Sequence, residues 1–97
     1  MTEQASVAAW TVAKISPMFR LQWEEAQGFH VLLYPEGMVK LSGSAGEIMK
    51  RIDGKSPVSA ILADLRAAYP GVDLEADVYK FLETAYDRGW LRTVDPR

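Results

Sequence analysis

At 97 residues, with 48 % apolar and 25 % charged side chains, the chain suffices for one domain with a modest core and leaves no room for a catalytic domain beside a separate substrate domain. A formal net charge of −2 lacks the electrostatic signature of a nucleic-acid binder, and the absence of cysteine excludes disulfides, thiolate metal sites, iron–sulfur clusters and cysteine nucleophiles within the chain. The opening "MTEQASVAAWTVAKIS" has no basic n-region and carries Glu3, Thr11 and Lys14 among its small apolar residues, and no stretch approaches the ~20 apolar residues of a spanning helix, so the cytoplasm is the expected location.

Residues 1–16 show neither a clean period of 2 nor one of 3.6. Two readings stand open. One is a poorly ordered arm, the default for a terminus of this kind; the other is an arm that packs Trp10, Val12 and Ile15 on its own domain or on a second copy of the chain, as a homodimer. The domain itself is expected over residues 17–92, with 93–97 as a tail.

From Pro17 the pattern changes. "FRLQWE" alternates Phe19, Leu21 and Trp23 with Arg20, Gln22 and Glu24, which predicts a strand with one buried face. "FHVLLYP" places Phe29, Val31 and Leu33 on one face and His30, Leu32 and Tyr34 on the other, as in a central strand with both faces partly covered. Pro35 fits the second position of a turn and Gly37 the positive φ of a three-residue hairpin, so "MVKLS" becomes a third strand at the edge of an antiparallel meander.

Helical periodicity follows. In "SGSAGEIMKRIDG", Ser42 or Ser44 is the expected N-cap, Ser44 and Glu47 have capping-box spacing, Ile48, Met49 and Ile52 share a face, and Gly54 is a stop. "SPVSAILADLRAAYPG" predicts a second helix with Ser56 as N-cap, Pro57 in the first turn, a stripe of Val58, Ile61, Leu62, Leu65 and Tyr69, and Pro70-Gly71 as terminator. "DLEADVYKFLETAYDRG" predicts a third, with Asp73 as cap, a stripe of Leu74, Val78, Phe81, Leu82 and Ala85, and Gly89 just past its end. Three strands followed by three helices predict an α+β domain of winged-helix-like content, a three-stranded antiparallel sheet with helices packed on one face.

Catalytic chemistry is missing from the pattern. His30 is the only histidine, and without cysteine or a converging carboxylate pair it makes neither a metal site nor a nucleophile–base pair. No phosphate-binding glycine motif and no metalloprotease motif occurs, and "GSAGE" reads as a strand-to-helix connection. Glu24 and Glu25 are adjacent residues at a strand end and point to opposite faces. The reading is of a protein that is not an enzyme, with no cofactor and no metal.

A winged-helix DNA-binding regulator is the alternative, and charge argues against it. Residues 73–89 carry Asp73, Glu75, Asp77, Glu83 and Asp87 against only Lys80 and Arg88, and like charges facing a phosphate backbone oppose binding. Neither nucleic acid nor membrane is expected as a partner. An exposed strand edge beside an amphipathic helix instead suits a polypeptide, which can add to the sheet through its main chain while alternate side chains enter the adjoining groove. About five added backbone bonds at ~1 kcal/mol net each fall short of the ~8 kcal/mol of micromolar binding, so apolar burial along the helix has to supply the rest.

Leu41, Ala45, Ile48, the Asp53-Gly54 pair, Val58, Ile61, Asp77-Val78, Phe81-Leu82 and Gly89-Trp90-Leu91 follow one another in an order and spacing that resembles the PqqD family of pyrroloquinoline quinone (PQQ) biosynthesis, over residues 18–92. The resemblance implies a winged-helix-like peptide chaperone of the kind found as the precursor-peptide recognition element of ribosomal-peptide modifying systems. Such a chaperone binds the ribosomally made PQQ precursor peptide and presents it to a radical SAM enzyme that cross-links a Glu and a Tyr of that peptide. It further implies that the peptide docks as an added strand between the third strand and the third helix, using Met38, Val39, Lys40 and Leu41 on the strand side and a selection from Asp77, Val78, Lys80, Phe81, Glu83 and Thr84 on the helix side. Ser42 stands where the family often has Asn, which keeps the capping oxygen, and Ala85-Tyr86 occupies a stretch where Leu is usual.

Overall fold

In the computed structural model, which describes residues 7–94, the elements are β1 (Ala13–Ile15), β2 (Arg20–Glu24), β3 (Phe29–Tyr34), β4 (Gly37–Leu41), α1 (Gly43–Met49), α2 (Val58–Ala68), α3 (Glu75–Asp87) and β5 (Leu91–Thr93). The predicted meander forms as an antiparallel sheet of order β2-β3-β4, and the three predicted helices follow it. Two short strands were not expected: β1 and β5 pair antiparallel in a small second sheet, with Ala13 opposite Thr93 and Ile15 opposite Leu91.

Register shows which side of the meander faces the helices, although Val31 on the other side is buried as well. Leu21, Leu32 and Val39 lie in one cross-strand row, and Trp23, His30 and Leu41 in the next but one on the same face. Leu32 is fully buried, and Leu41 nearly so, against the helices. The opposite face carries Gln22, Val31 and Lys40 in one row and Arg20, Leu33 and Met38 in another. On that face the Lys40 ammonium stands 4.5 Å from the centroid of the Phe29 ring, a cation–π contact.

The helical stripes enter one core. Ile48, Met49 and Ile52 come from the α1 segment, Val58, Ile61, Leu62 and Leu65 from α2, and Val78, Leu82 and Ala85 from α3. The predicted stripe of α3 is only half buried: Leu74 and Phe81 pack against the core from its margin, and Tyr69 at the end of α2 is exposed. Gly46 permits the close approach of α1 to β3, since a Cβ there would sit 2.8 Å from His30 Nδ1 and 3.4 Å from its Cβ.

Helix ends depart from the sequence reading in an instructive way. Ser42 is the N-cap of α1, its hydroxyl accepting from the Ala45 N–H at 3.4 Å, but Ser44 and Glu47 form no capping box, because Glu47 turns to Arg51 instead. The helix stops at Met49 rather than at Gly54. Beyond it the Asp53 carboxylate accepts the N–H groups of Lys55 and Ser56, both at 2.8 Å, and the Ser56 hydroxyl at 3.0 Å. Ser56 is thereby committed to Asp53 and does not cap α2, whose N-cap is Pro57. Asp73 does not cap α3 either; the N-cap is Leu74, without a side-chain bond. Gly37 does not take positive φ, and the β3–β4 turn is the dipeptide Pro35-Glu36 closed by the Tyr34–Gly37 pair. At the far end of α3 the prediction of Gly89 is met: with φ +80 it lets its own N–H reach the Tyr86 carbonyl at 3.0 Å and the Trp90 N–H reach that of Ala85 at 2.9 Å, the pair of bonds that satisfies a helix C-terminus.

What caps α2 is the segment read by default as a poorly ordered arm. The Val58 and Ser59 N–H groups donate to the carbonyls of Thr11 and Ala9, both at 2.9 Å, supplying the partners that a helix N-terminus lacks internally. Ala13 is buried, its carbonyl accepts from Gly54 N–H at 3.1 Å, and Val94 N–H donates to Val12 at 2.8 Å. Buried Ser16 donates through its hydroxyl to the Gly89 carbonyl and through its N–H to that of Trp90, each at 2.8 Å. Residues 11–16 are thus fixed by main-chain bonds that no side-chain period reveals; Trp10 is exposed, and residues 1–6 lie outside the described residues.

Leu82→Ala is expected to lower unfolding free energy by about 2–5 kcal/mol, because the side chain is fully buried; urea denaturation of the two proteins measures it. A chain beginning at Pro17 is expected to lose at least about 2 kcal/mol from the two orphaned α2 donors alone, and an unchanged denaturation midpoint would refute the clamping role of residues 9–16.

Candidate functional site

One side of β4 is paired with β3, and among the described residues no strand pairs with the other. Beside that free edge runs α3, and between them lies a groove of about 370 Å³ whose lining includes Val39, Leu41, Ala45, Phe81, Thr84, Arg88 and Trp90. A second, larger cleft of about 490 Å³ opens between α1, the end of α2 and the first half of α3, with Ile48, Leu65, Tyr69, Val72, Leu74 and Asp77 among its walls. Ser42, Ala45 and Phe81 line both.

The rotation of α3 about its axis sorts its residues. Val78, Leu82 and Ala85 face the core. Asp77, Phe81, Thr84 and Arg88, at spacings of four, three and four, form the neighbouring stripe, and each lines one or both cavities. Lys80 and Glu83 are exposed and line neither. Val78 touches the larger cleft but is only 2 % exposed, so it serves mainly as its floor. On the strand side Val39 and Leu41 share the inner face. Lys40 reaches the groove wall, although its ammonium is held over Phe29 on the other face. Met38 is 64 % exposed, lies in the same row as Leu33 and lines neither cavity.

The structure adds residues that the sequence reading did not select. Arg88 continues the Asp77–Phe81–Thr84 spacing by one more turn, so helical periodicity could have found it. Trp90 could not be found that way. The chain reverses at Gly89 and sets the indole beside Phe81, ring centroids 6.4 Å apart, with the Arg88 guanidinium carbon 5.9 Å from the indole centroid. Ala45, Tyr69 and Val72 reach the cavities only through tertiary packing. The combined surface is a largely apolar trough with a hydrogen-bonding strand edge along one wall, and among the described residues no group of three or more metal-ligating side chains accompanies it.

Ionic groups frame the trough without filling it. Arg51 bridges α1 and α2: its Nη1 donates to the carboxylate and the carbonyl of Glu47, both at 2.8 Å, and its Nε donates to Asp64. The Arg51 hydrogen bond is the chief reason the Glu47 carboxyl lies below its ordinary value, against an opposing push from burial and with a further contribution from Lys50 at 3.4 Å. Backbone N–H bonds from Ser56 and then Lys55 hold the exposed Asp53 carboxyl low in the same direction. Arg66 pairs with Glu75 at 2.8 Å, whereas Asp77 and Arg88 have no ion-pair partner among the described residues.

A three-stranded meander leading into three helices, with the third helix beside a free strand edge, defines a small winged-helix-like α+β domain. The family model for coenzyme PQQ synthesis protein D (PqqD) matches residues 30–91, and the chain belongs to that family. Proteins named PqqA binding protein are similar to it: that of Azotobacter vinelandii is 54 % identical over 74 residues, covering 75 % of this chain and 80 % of its own. That of Pseudomonas entomophila is 43 % identical over 90 residues, covering 92 % and 93 %. Among solved structures, the solution NMR structure of the PqqD truncation of Methylobacterium extorquens PqqCD matches with a TM-score of 0.74 at 29 % identity, covering 90 % of this chain and 95 % of that one. That protein is described as a functional, stand-alone recognition element for ribosomally synthesised and post-translationally modified peptides.

Both lowered carboxyls contribute stability above their ordinary values, and that contribution is lost as pH falls through the lower folded-state values. The stability difference between the wild type and Glu47→Gln is therefore expected to be largest near neutrality and to shrink as pH drops below about 4.5, the ordinary value for Glu47; urea melts at several pH values test this, and a pH-independent difference would contradict it.

Proposed function

We propose that the chain is a non-catalytic binding protein for the ribosomally made PqqA precursor peptide, which it holds by strand addition to β4 and presents to the radical SAM enzyme of the pathway for Glu–Tyr cross-linking in the cytoplasm. The observation that carries this reading is the free edge of β4 with Phe81, Thr84 and Trp90 across the groove from it, in a chain similar to proteins named for binding PqqA. An added strand bonds its main chain to β4 and directs alternate side chains toward Phe81, Thr84 and Trp90, which supply the apolar burial that backbone bonds alone do not. Met38, Lys80 and Glu83 belong to this reading only as flanking residues, since they line neither cavity. The acidic exposed face of α3, with Glu75, Glu83 and Asp87, opposes the regulator alternative.

Titration of the labelled protein with synthetic PqqA is expected to shift the backbone amides of residues 38–42 and of α3. Thr84→Arg places a long charged side chain in the groove from an exposed position and is expected to weaken binding by about tenfold or more without loss of fold. Perturbations confined to β2 or to residues 7–16, or unchanged affinity in the Thr84 variant, would overturn the site.

A further inference from the structure

Resting on the peptide-binding reading above, we infer that the groove beside β4 and the cleft between α1 and α3 form one continuous recognition track. It takes a peptide segment in the order acidic residue, large apolar side chain, basic residue, with the acidic group beside Arg88 and the basic group beside Asp77. Four observations lead there. The two cavities share Ser42, Ala45 and Phe81, so a strand leaving the Leu41 end of β4 runs directly into the larger cleft. Apolar surface is uncovered at that cleft, where Tyr69 is 42 % and Val72 53 % exposed beside each other in its lining. The cleft, at about 490 Å³, has room for an aromatic or long aliphatic side chain. Finally, the α3 stripe ends in opposite charges, Asp77 at one end and Arg88 at the other, and neither has an ion-pair partner among the described residues.

The spacing is self-consistent. Arg88 stands eleven positions after Asp77, an axial distance of roughly 16 Å, and an extended peptide covers that in about five residues. The acidic and basic members of the peptide therefore stand about five positions apart, with the apolar anchor between them near Phe81 and directed toward Tyr69 and Val72. The occupant is the same precursor chain that adds to β4, because the two cavities adjoin at Ser42, Ala45 and Phe81, where a strand added to β4 passes from one to the other.

Calorimetric titration of the full chain with synthetic PqqA at low and high salt tests the track. Asp77→Asn and Arg88→Gln are each expected to weaken binding about twofold to fivefold at low salt, with the difference fading at high salt. Tyr69→Ala and Val72→Ser, both at exposed positions, are expected to weaken it about threefold or more at either salt concentration. Wild-type affinity in either pair, in variants with unchanged circular dichroism, overturns the track. In that case loss of binding by Thr84→Arg leaves peptide capture at β4 standing, whereas failure of the wild type to bind PqqA removes that reading and the track together.

Discussion

The architecture depends on how three side chains of α3 are buried. Val78, Leu82 and Ala85 are at most 2 % exposed, and together they fix the rotation of the helix against the sheet and the other two helices. Because an α-helix advances 100° per residue, sealing that stripe in the core sets the azimuth of every other residue on it. Asp77, Phe81, Thr84 and Arg88 then have one place to go, the trough beside β4. The same constraint keeps β4 unpaired: α3 lies along its edge as a helix, which offers no free main-chain groups of its own, so the strand's hydrogen-bonding capacity stays available while its inner side chains are covered.

A second constraint sets the floor of the trough. Gly46 brings α1 close to β3, with His30 wedged between that helix and Trp23, whose ring lies 4.9 Å from the imidazole in an edge-on arrangement. The lone histidine is thus a spacer in the packing of helix on sheet. The depth of the Ala45 wall, which both cavities share, follows from that close approach. Arg51 reinforces it from the opposite side by tying the end of α1 to α2, so the cleft is bounded by elements fixed to each other.

The sequence showed the parts that obey a period. Alternation in "FRLQWE" and "FHVLLY" and the apolar stripes of α2 and α3 placed the strands, the helices and most of the core, and Gly89 marked the end of α3 because positive φ has so few other occupants. What it hid follows from two physical causes. Main-chain bonds leave no trace in side-chain pattern, so the β1–β5 pairing and the capping of α2 by Thr11 and Ala9 were invisible, and Ser56 looked like a cap when its hydroxyl was already committed to Asp53. Helical spacing also gives a ring of neighbours without an absolute zero of angle. That is why Asp77, Phe81 and Thr84 could be named beside Lys80 and Glu83, and only packing separated the groove from solvent.

Pairing of β1 with β5 places Ala13 across from Thr93, so the first and last strands of the described domain lie side by side, and Arg88 and Trp90 bring one end of the trough to the residues just before β5. A domain whose first and last strands pair can be spliced to a neighbour beyond either of them with little strain on its interior. The relation to a segment of the M. extorquens PqqCD chain fits that geometry. Tethering of this sort raises the local concentration of a bound peptide at an attached partner without any new contact between them.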